Sequence, residues 1–206
     1  TGGMVTAFGI PAFIVTLGVM FVARGMSFIL ADSDPVLVAN PDFGWLGRGV
    51  LLGLPNTVLL MALLFILAHL LMTRTSVGRY IYAVGGNPEA ARLSGVPVKW
   101  VLVFVYTLCG VLAGLGGVME ASLHVTGDPK AGNMLELQVI AAVVVGGTSL
   151  AGGQGRIFGT LVGALIIGVI RNGMNLTGVE AHMQSVVYGV VILIAVLVDR
   201  LKAKIR

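Results

Sequence analysis

Charged residues are scarce: Asp, Glu, Lys and Arg make up 11% of the 206 residues, against roughly 25% in soluble domains. That deficit excludes an ordinary soluble domain. The net charge of +4 does not indicate a nucleic-acid partner, because the basic residues lie at the ends of apolar runs without aromatic interleaving. Cysteine is nearly missing. Cys109, the single one, sits inside an apolar run, which rules out a disulfide framework and thiolate metal clusters. Three histidines, His69, His124 and His182, sit near the ends of apolar runs, and there is no H-E-x-x-H pair. His69 has no His, Cys or carboxylate at helical spacing from it. A nucleotide cradle of the form G-x-x-x-x-G-K-[ST] is absent, and Ser149 in Gly-Thr-Ser-Leu-Ala-Gly misses the G-x-S-x-G elbow. Neither an enzyme nor a metal or cofactor site is expected. The amino terminus has no Met, basic region or small-residue cleavage site, so the chain is expected to be part of a longer one.

What is abundant is apolar: 57% of residues are hydrophobic and the mean hydropathy is +0.99. The expected class is an all-α polytopic helical membrane protein. Five full spans are expected, at residues 10–29, 54–72, 100–122, 156–170 and 183–198, together with one short segment. That segment, Leu135–Val145, covers only about 16 Å as a helix, roughly half a bilayer core. The run Gly146-Gly147-Thr148-Ser149-Leu150-Ala151-Gly152-Gly153-Gln154-Gly155 then breaks it. Backbone that irregular must be buried in protein or line a watery cavity; a Gly-rich turn permitting tight packing at the membrane surface fits as well. Whether the short segment crosses or re-enters stays open at this point.

Two glycine patterns predict close helix packing: Gly110 with Gly114, and Gly155, Gly159 and Gly163 along one stripe. Residues 31–53 read as a polar loop with Trp45 at an interface. Arg24 is the one ionisable residue deep in a span, with snorkelling to the nearer interface the favoured reading, and Glu120 reads as an interfacial carboxylate.

Topology follows from charge. With the carboxy terminus inside and the short segment counted as a crossing leg, the loop at residues 74–99 also falls inside. The inner segments then hold nine basic residues (Arg74, Arg79, Arg92, Lys99, Arg156, Arg200, Lys202, Lys204 and Arg206) and two acids; the rest of the chain holds four and seven. Without the short leg, the two basic segments would lie on opposite sides, against the positive-inside rule.

Within that inner loop, residues 87–94 are written as a helix of about two turns. Asn87 suits the cap, Pro88 the first turn, and Gly95 the left-handed stop. A helix so short is marginal alone. Docking on another protein would complete it, and a capped connector is the alternative on spacing alone.

Glu89-Ala90-Ala91-x-x-x-Gly95 resembles the EAA loop of bacterial ABC importer permeases. Four stretches resemble the monosaccharide branch, the ribose, xylose and arabinose type. They are Ile10-Pro11-Ala12-Phe13-Ile14-Val15-Thr16-Leu17-Gly18 with Arg24-Gly25; Gly85 through Gly95; Val145 through Gly153; and Asn172-Gly173-Met174-Asn175-Leu176. The resemblance implies a single transmembrane permease domain over residues 1–206, lacking the family's amino-terminal helices, in the bacterial cytoplasmic membrane. It implies a coupling helix formed by Asn87, Pro88, Glu89, Ala90, Ala91, Arg92, Leu93, Ser94 and Gly95. The implied partners are a second permease subunit in a homodimer or heterodimer, cytoplasmic ATP-binding subunits that hydrolyse ATP, and a periplasmic sugar-binding protein. A neutral path would carry the monosaccharide inward, with Gly146, Gly147, Thr148 and Asn175 as candidates for its lining. The competing class, a secondary transporter or channel for a small polar solute, would show paired ionisable groups in mid-membrane.

Overall fold

The computed structural model describes the backbone of residues 1–40 and 42–205, and no side chain of residues 181–182 or 198–205. The basic tail residues Arg200, Lys202, Lys204 and Arg206 therefore lie outside the described side chains. In chain order the elements are α1 (Gly2–Phe8), α2 (Ala12–Leu30), β1 (Val36–Leu37), α3 (Phe43–Arg48), β2 (Val50–Leu51), β3 (Leu54–Pro55), α4 (Asn56–Arg74), α5 (Ser76–Gly86), α6 (Pro88–Leu93), α7 (Val98–His124), β4 (Thr126–Gly127), α8 (Leu135–Val145), α9 (Ile157–Leu176) and α10 (Ala181–Ile205). The chain is an all-α polytopic membrane protein. Helices α2, α4, α7 and α9 are long and apolar enough to cross a membrane by length and composition. The fifth expected span corresponds to α10, whose apolar stretch is the shorter Met183–Leu197. On α2, Phe13, Ile14, Phe21 and Val22 are each more than 60% exposed, a surface for lipid or other helices to cover.

The chain divides into two compact units. The first comprises residues 1–64 and 97–132. Its axis is α7, about 40 Å long. Near the start of α7, α1 approaches closely because Gly2 has no side chain: a Cβ there would stand 3.1 Å from Val103 Cα. At the other end sits α3. The Gly47 N–H donates to Ser122 Oγ at 2.7 Å, and the Ser122 hydroxyl donates to the Phe43 carbonyl at 2.5 Å. Ser122 is fully enclosed. Arg48 Nε donates to the Leu123 carbonyl at 2.6 Å, and Asn56 Nδ2 to the Trp45 carbonyl at 2.8 Å.

Residues 31–53 are thus more than the expected loop. They hold α3 and strand β1, which pairs antiparallel with β4, Val36 facing Gly127. They also supply β2, which pairs with β3 through a two-residue turn at Leu52-Gly53, φ +54 and +78, the left-handed pair that suits strand twist. A tertiary contact underlies α3: a Cβ at Gly47 would stand 2.5 Å from Leu123 N, so only glycine lets the short helix rest on the α7 backbone. By contrast, a Cβ at Gly110 or Gly114 would meet nothing within 4 Å among the described residues, and that face of α7 is open.

The second unit comprises residues 65–96 and 133–206. Here α8 and α9 lie backbone against backbone. A Cβ at Gly163 would strike the Ala142 carbonyl and stand 2.8 Å from Gly146 N; one at Gly159 would strike the Gly146 carbonyl. Two members of the α9 glycine stripe therefore face α8. Around this pair Ala141, Ala142, Ile167, Met174 and Tyr188 of α10 form the buried cluster, with Ala141 fully enclosed. The loop between α4 and α6 holds the unexpected α5. Its Val77, Tyr80, Ile81 and Val84 fall at helical spacing, and Thr75 Oγ1 caps it by accepting from Gly78 N at 3.2 Å.

Two substitutions test these contacts. Ser122→Ala removes the two hydrogen bonds by which its hydroxyl ties α3 to α7, so it should destabilise the purified protein by about 1–3 kcal/mol, read as a lower thermal midpoint in detergent. The buried Tyr188 hydroxyl has no hydrogen-bond partner among the described residues, so Tyr188→Phe should leave that midpoint unchanged or raise it.

Candidate functional site

Helix α6 is closed at both ends by its own sequence. Asn87 Oδ1 accepts from the Glu89 and Ala90 N–H groups, each at 3.0 Å, and Pro88 occupies the first turn, where a missing N–H leaves nothing unpaired. At the far end the Ser94 hydroxyl donates to the Ala90 carbonyl at 2.9 Å. The chain leaves through Gly95 at φ +82, with Val96 N donating to the Ala91 carbonyl at 3.0 Å. Glu89 and Arg92 pair at 2.7 Å, but both side chains are about two-thirds exposed, and such a pair contributes at most about 1 kcal/mol.

Six residues do not hold themselves in place. Ala91 fixes the helix, being 5% exposed, whereas Leu93 is 81% exposed. Ala91 and Leu93 thus point to opposite uses: Ala91 anchors α6 within its unit, and Leu93 is offered outward. An exposed leucine on a capped helix is a small apolar knob.

The turn joining α8 to α9 is the second feature. Helix α8 ends in a Schellman arrangement, with Gly147 N donating to Val144 O at 2.9 Å and Thr148 N to Val143 O at 3.1 Å, and Gly147 at φ +88. Ser149 N then donates to Gln154 O at 3.1 Å and Gly152 N to Ser149 O at 3.2 Å. Gly155 lies against the Thr148 side chain, where a Cβ would stand 2.8 Å from Oγ1. The Tyr82 hydroxyl of α5 donates to the Gly155 carbonyl at 2.8 Å, and Gly85 meets Gly152 and Gly153 backbone to backbone.

The four candidates for a substrate lining are not brought into one cluster. Gly146 is packed on α9, where a Cβ would stand 2.9 Å from Thr160 Cα, and Thr148 lies beside Gly155. Asn175 sits near the other end of α9, about 24 Å along the helix from Gly159, with its Oδ1 accepting from Gln184 Nε2 at 2.9 Å. The contacts of Gly85 and Tyr82 with this turn left no signal in the sequence, because contact between segments so far apart, 73 residues for Tyr82 and Gly155, leaves no periodic trace.

Among the described residues no group of three His, Cys, Asp or Glu could hold a metal ion. Glu120 and His124 approach to 3.4 Å, with both side chains more than half exposed. Among the described residues the ion pairs Glu89–Arg92 and Glu120–His124 are both exposed.

The ribose import permease protein RbsC of Escherichia coli is 48% identical over 206 residues, covering 98% of this chain and 64% of that protein. The probable ABC transporter permease protein YphD of Escherichia coli is 44% identical over 193 residues, 93% of this chain and 58% of that protein. The D-allose transport system permease protein AlsC of Escherichia coli is 38% identical over 203 residues, 98% of this chain and 62% of that protein. The chain therefore spans somewhat less than two thirds of the length of these relatives. No solved structure matches it. A family profile described as "Branched-chain amino acid transport system / permease component" matches residues 1–196. With its apolar helices, the chain is a multi-pass inner-membrane protein and belongs to that permease family.

Proposed function

We propose that the chain is the permease component of an ABC importer that moves a monosaccharide inward, driven by a separate ATP-hydrolysing subunit. The observation that carries this is α6: a helix capped at both ends, held by buried Ala91 and presenting Leu93 at 81% exposure. The printed names of the relatives support a sugar as cargo, ribose in one and allose in another, and a third is named as an ABC transporter permease.

The mechanism is one of borrowed force. The charge rule assigns residues 74–99 to the cytoplasmic side, where α6 would seat in a cleft of the ATPase subunit. Closure of two such subunits on ATP displaces α6, and the helices joined to it change which side the central path faces. The carboxy terminus is cytoplasmic in this scheme. A second permease subunit completes the path, and a periplasmic sugar-binding protein delivers the sugar. Nothing in the permease needs to react with ATP.

The scheme is tested with the full-length permease, tagged and coexpressed with its ATPase subunit. Leu93→Glu should reduce ATPase retention, and ATP hydrolysis stimulated by the loaded binding protein, by about tenfold or more, since loss of one anchoring apolar contact is worth about 2 kcal/mol. The stability of the permease alone should hold within about 0.5 kcal/mol, as for other exposed positions. Uptake that persists without any ATPase subunit and follows a proton or sodium gradient would refute the proposal and favour a secondary transporter.

A further inference from the structure

The end of α5 meets the α8–α9 turn with no side chain in between. A Cβ at Gly85 would stand 2.8 Å from Gly153 N, and one at Gly153 would stand 2.7 Å from Gly86 Cα. A Cβ at Gly152 would strike the Gly85 carbonyl. Gly152 and Gly153 also hold φ of +89 and +71, a region that disfavours any other residue. Beside this contact the Tyr82 hydroxyl donates to the Gly155 carbonyl at 2.8 Å, an independent tie between the same two segments.

The chain of direct contacts continues both ways. Toward α6, Asn87 closes α5 by donating its N–H to the Ala83 carbonyl at 3.1 Å, and its side chain caps α6; one residue ends one helix and starts the next. Toward α9, Gly146 rests on Gly159 and Ala142 on Gly163. Side chains that change rotamer absorb small displacements, but backbone in van der Waals contact does not. A push on α6 that passes through Asn87 into α5 therefore meets backbone on backbone on its way to α8 and α9.

We propose that Gly85, Gly153 and Tyr82 are positioning residues of the transport cycle, locking α5–α6 to the α8–α9 pair so that both move as one rigid body. This rests on the reading that an ATPase subunit displaces α6. The three residues touch neither sugar nor nucleotide in this role. They act through α6, and what they set is the coupling between hydrolysis and movement.

The test uses the full-length permease in lipid vesicles with its ATPase subunits and sugar-binding protein, carrying Cys109→Ser and spin labels at Ser76→Cys on α5 and Phe158→Cys on α9. Both label positions are exposed and lie outside α6 and the glycine contact. With the joint intact, the distance distribution between the labels should be the same in the nucleotide-free and ATP-trapped states. With Gly153→Ala it should differ between those states, the ATPase subunit should still copurify, hydrolysis should continue, and sugar moved per ATP should fall about tenfold or more. Should Gly153→Ala fail to accumulate, Tyr82→Phe, which keeps the ring and removes the hydroxyl, carries the test with a loss of about threefold in sugar moved per ATP.

A distance that changes between states in the intact joint would overturn the proposal. So would substitutions that leave sugar moved per ATP unchanged, or that lower hydrolysis and uptake together with an unaltered distance distribution, the signature of glycines that serve packing alone. If no ATPase subunit copurifies with the unsubstituted permease, the reading of α6 fails first and the joint falls with it.

Discussion

Within a hydrocarbon layer every backbone N–H and C=O must find its partner inside the chain, at a cost of several kcal/mol for each that does not. Helix α8 meets that constraint after only about 16 Å. Its last carbonyls are taken by the Gly147 and Thr148 N–H groups, and the chain can reverse because Gly147 accepts a left-handed φ. Having reversed, α9 returns along α8 at a separation that only glycine allows, at Gly146, Gly159 and Gly163. The cluster of Ala141, Ala142, Ile167, Met174 and Tyr188 fills in around that pair. The outer side of the same turn receives α5.

The two units solve the problem of exposed helix ends differently. At the end of α7, hydrogen bonds add to the glycine contact: Ser122 accepts from Gly47 N and donates to the Phe43 carbonyl, and Arg48 Nε donates to the Leu123 carbonyl, stitching α3 onto the helix terminus. That arrangement is directional and can be removed one hydrogen bond at a time. Around the α8–α9 turn the means are steric, with backbone on backbone at Gly85, Gly152 and Gly153. Such a contact is stiff because nothing in it can rotate out of the way, a property suited to passing on a displacement.

The sequence was informative wherever local chemistry decides the outcome. Asn87, Pro88 and Gly95 mark a short helix by rules that involve only neighbouring residues, and the structure shows Asn87 capping and Gly95 at φ +82. The bounds of α8 were legible from the apolar run ahead of Gly146. Helix α3 and the two small strand pairs were not, because Gly47 and Ser122 are meaningful only once they touch. Spacing alone also could not rank the glycine stripes: Gly159 and Gly163 pack on α8, whereas Gly110 and Gly114 have the same interval and face open space among the described residues. Helix α5 was missed for a different reason. Its apolar positions Val77, Tyr80, Ile81 and Val84 cover little more than two turns, and the basic residues Arg74, Arg79, Arg92 and Lys99 mark the whole segment as a loop between spans.

The functional reading reduces to which side of the membrane bears α6. In the proposed scheme Leu93 must face the cell interior, the side that the positive-inside rule predicts for this loop. The direct measurement is reaction of Leu93→Cys, in a full-length permease carrying Cys109→Ser and expressed without ATPase subunits, with a membrane-impermeant maleimide. Labelling confined to inverted vesicles, with intact spheroplasts unreactive, is the expected result; labelling in intact spheroplasts would put α6 on the wrong face and contradict it.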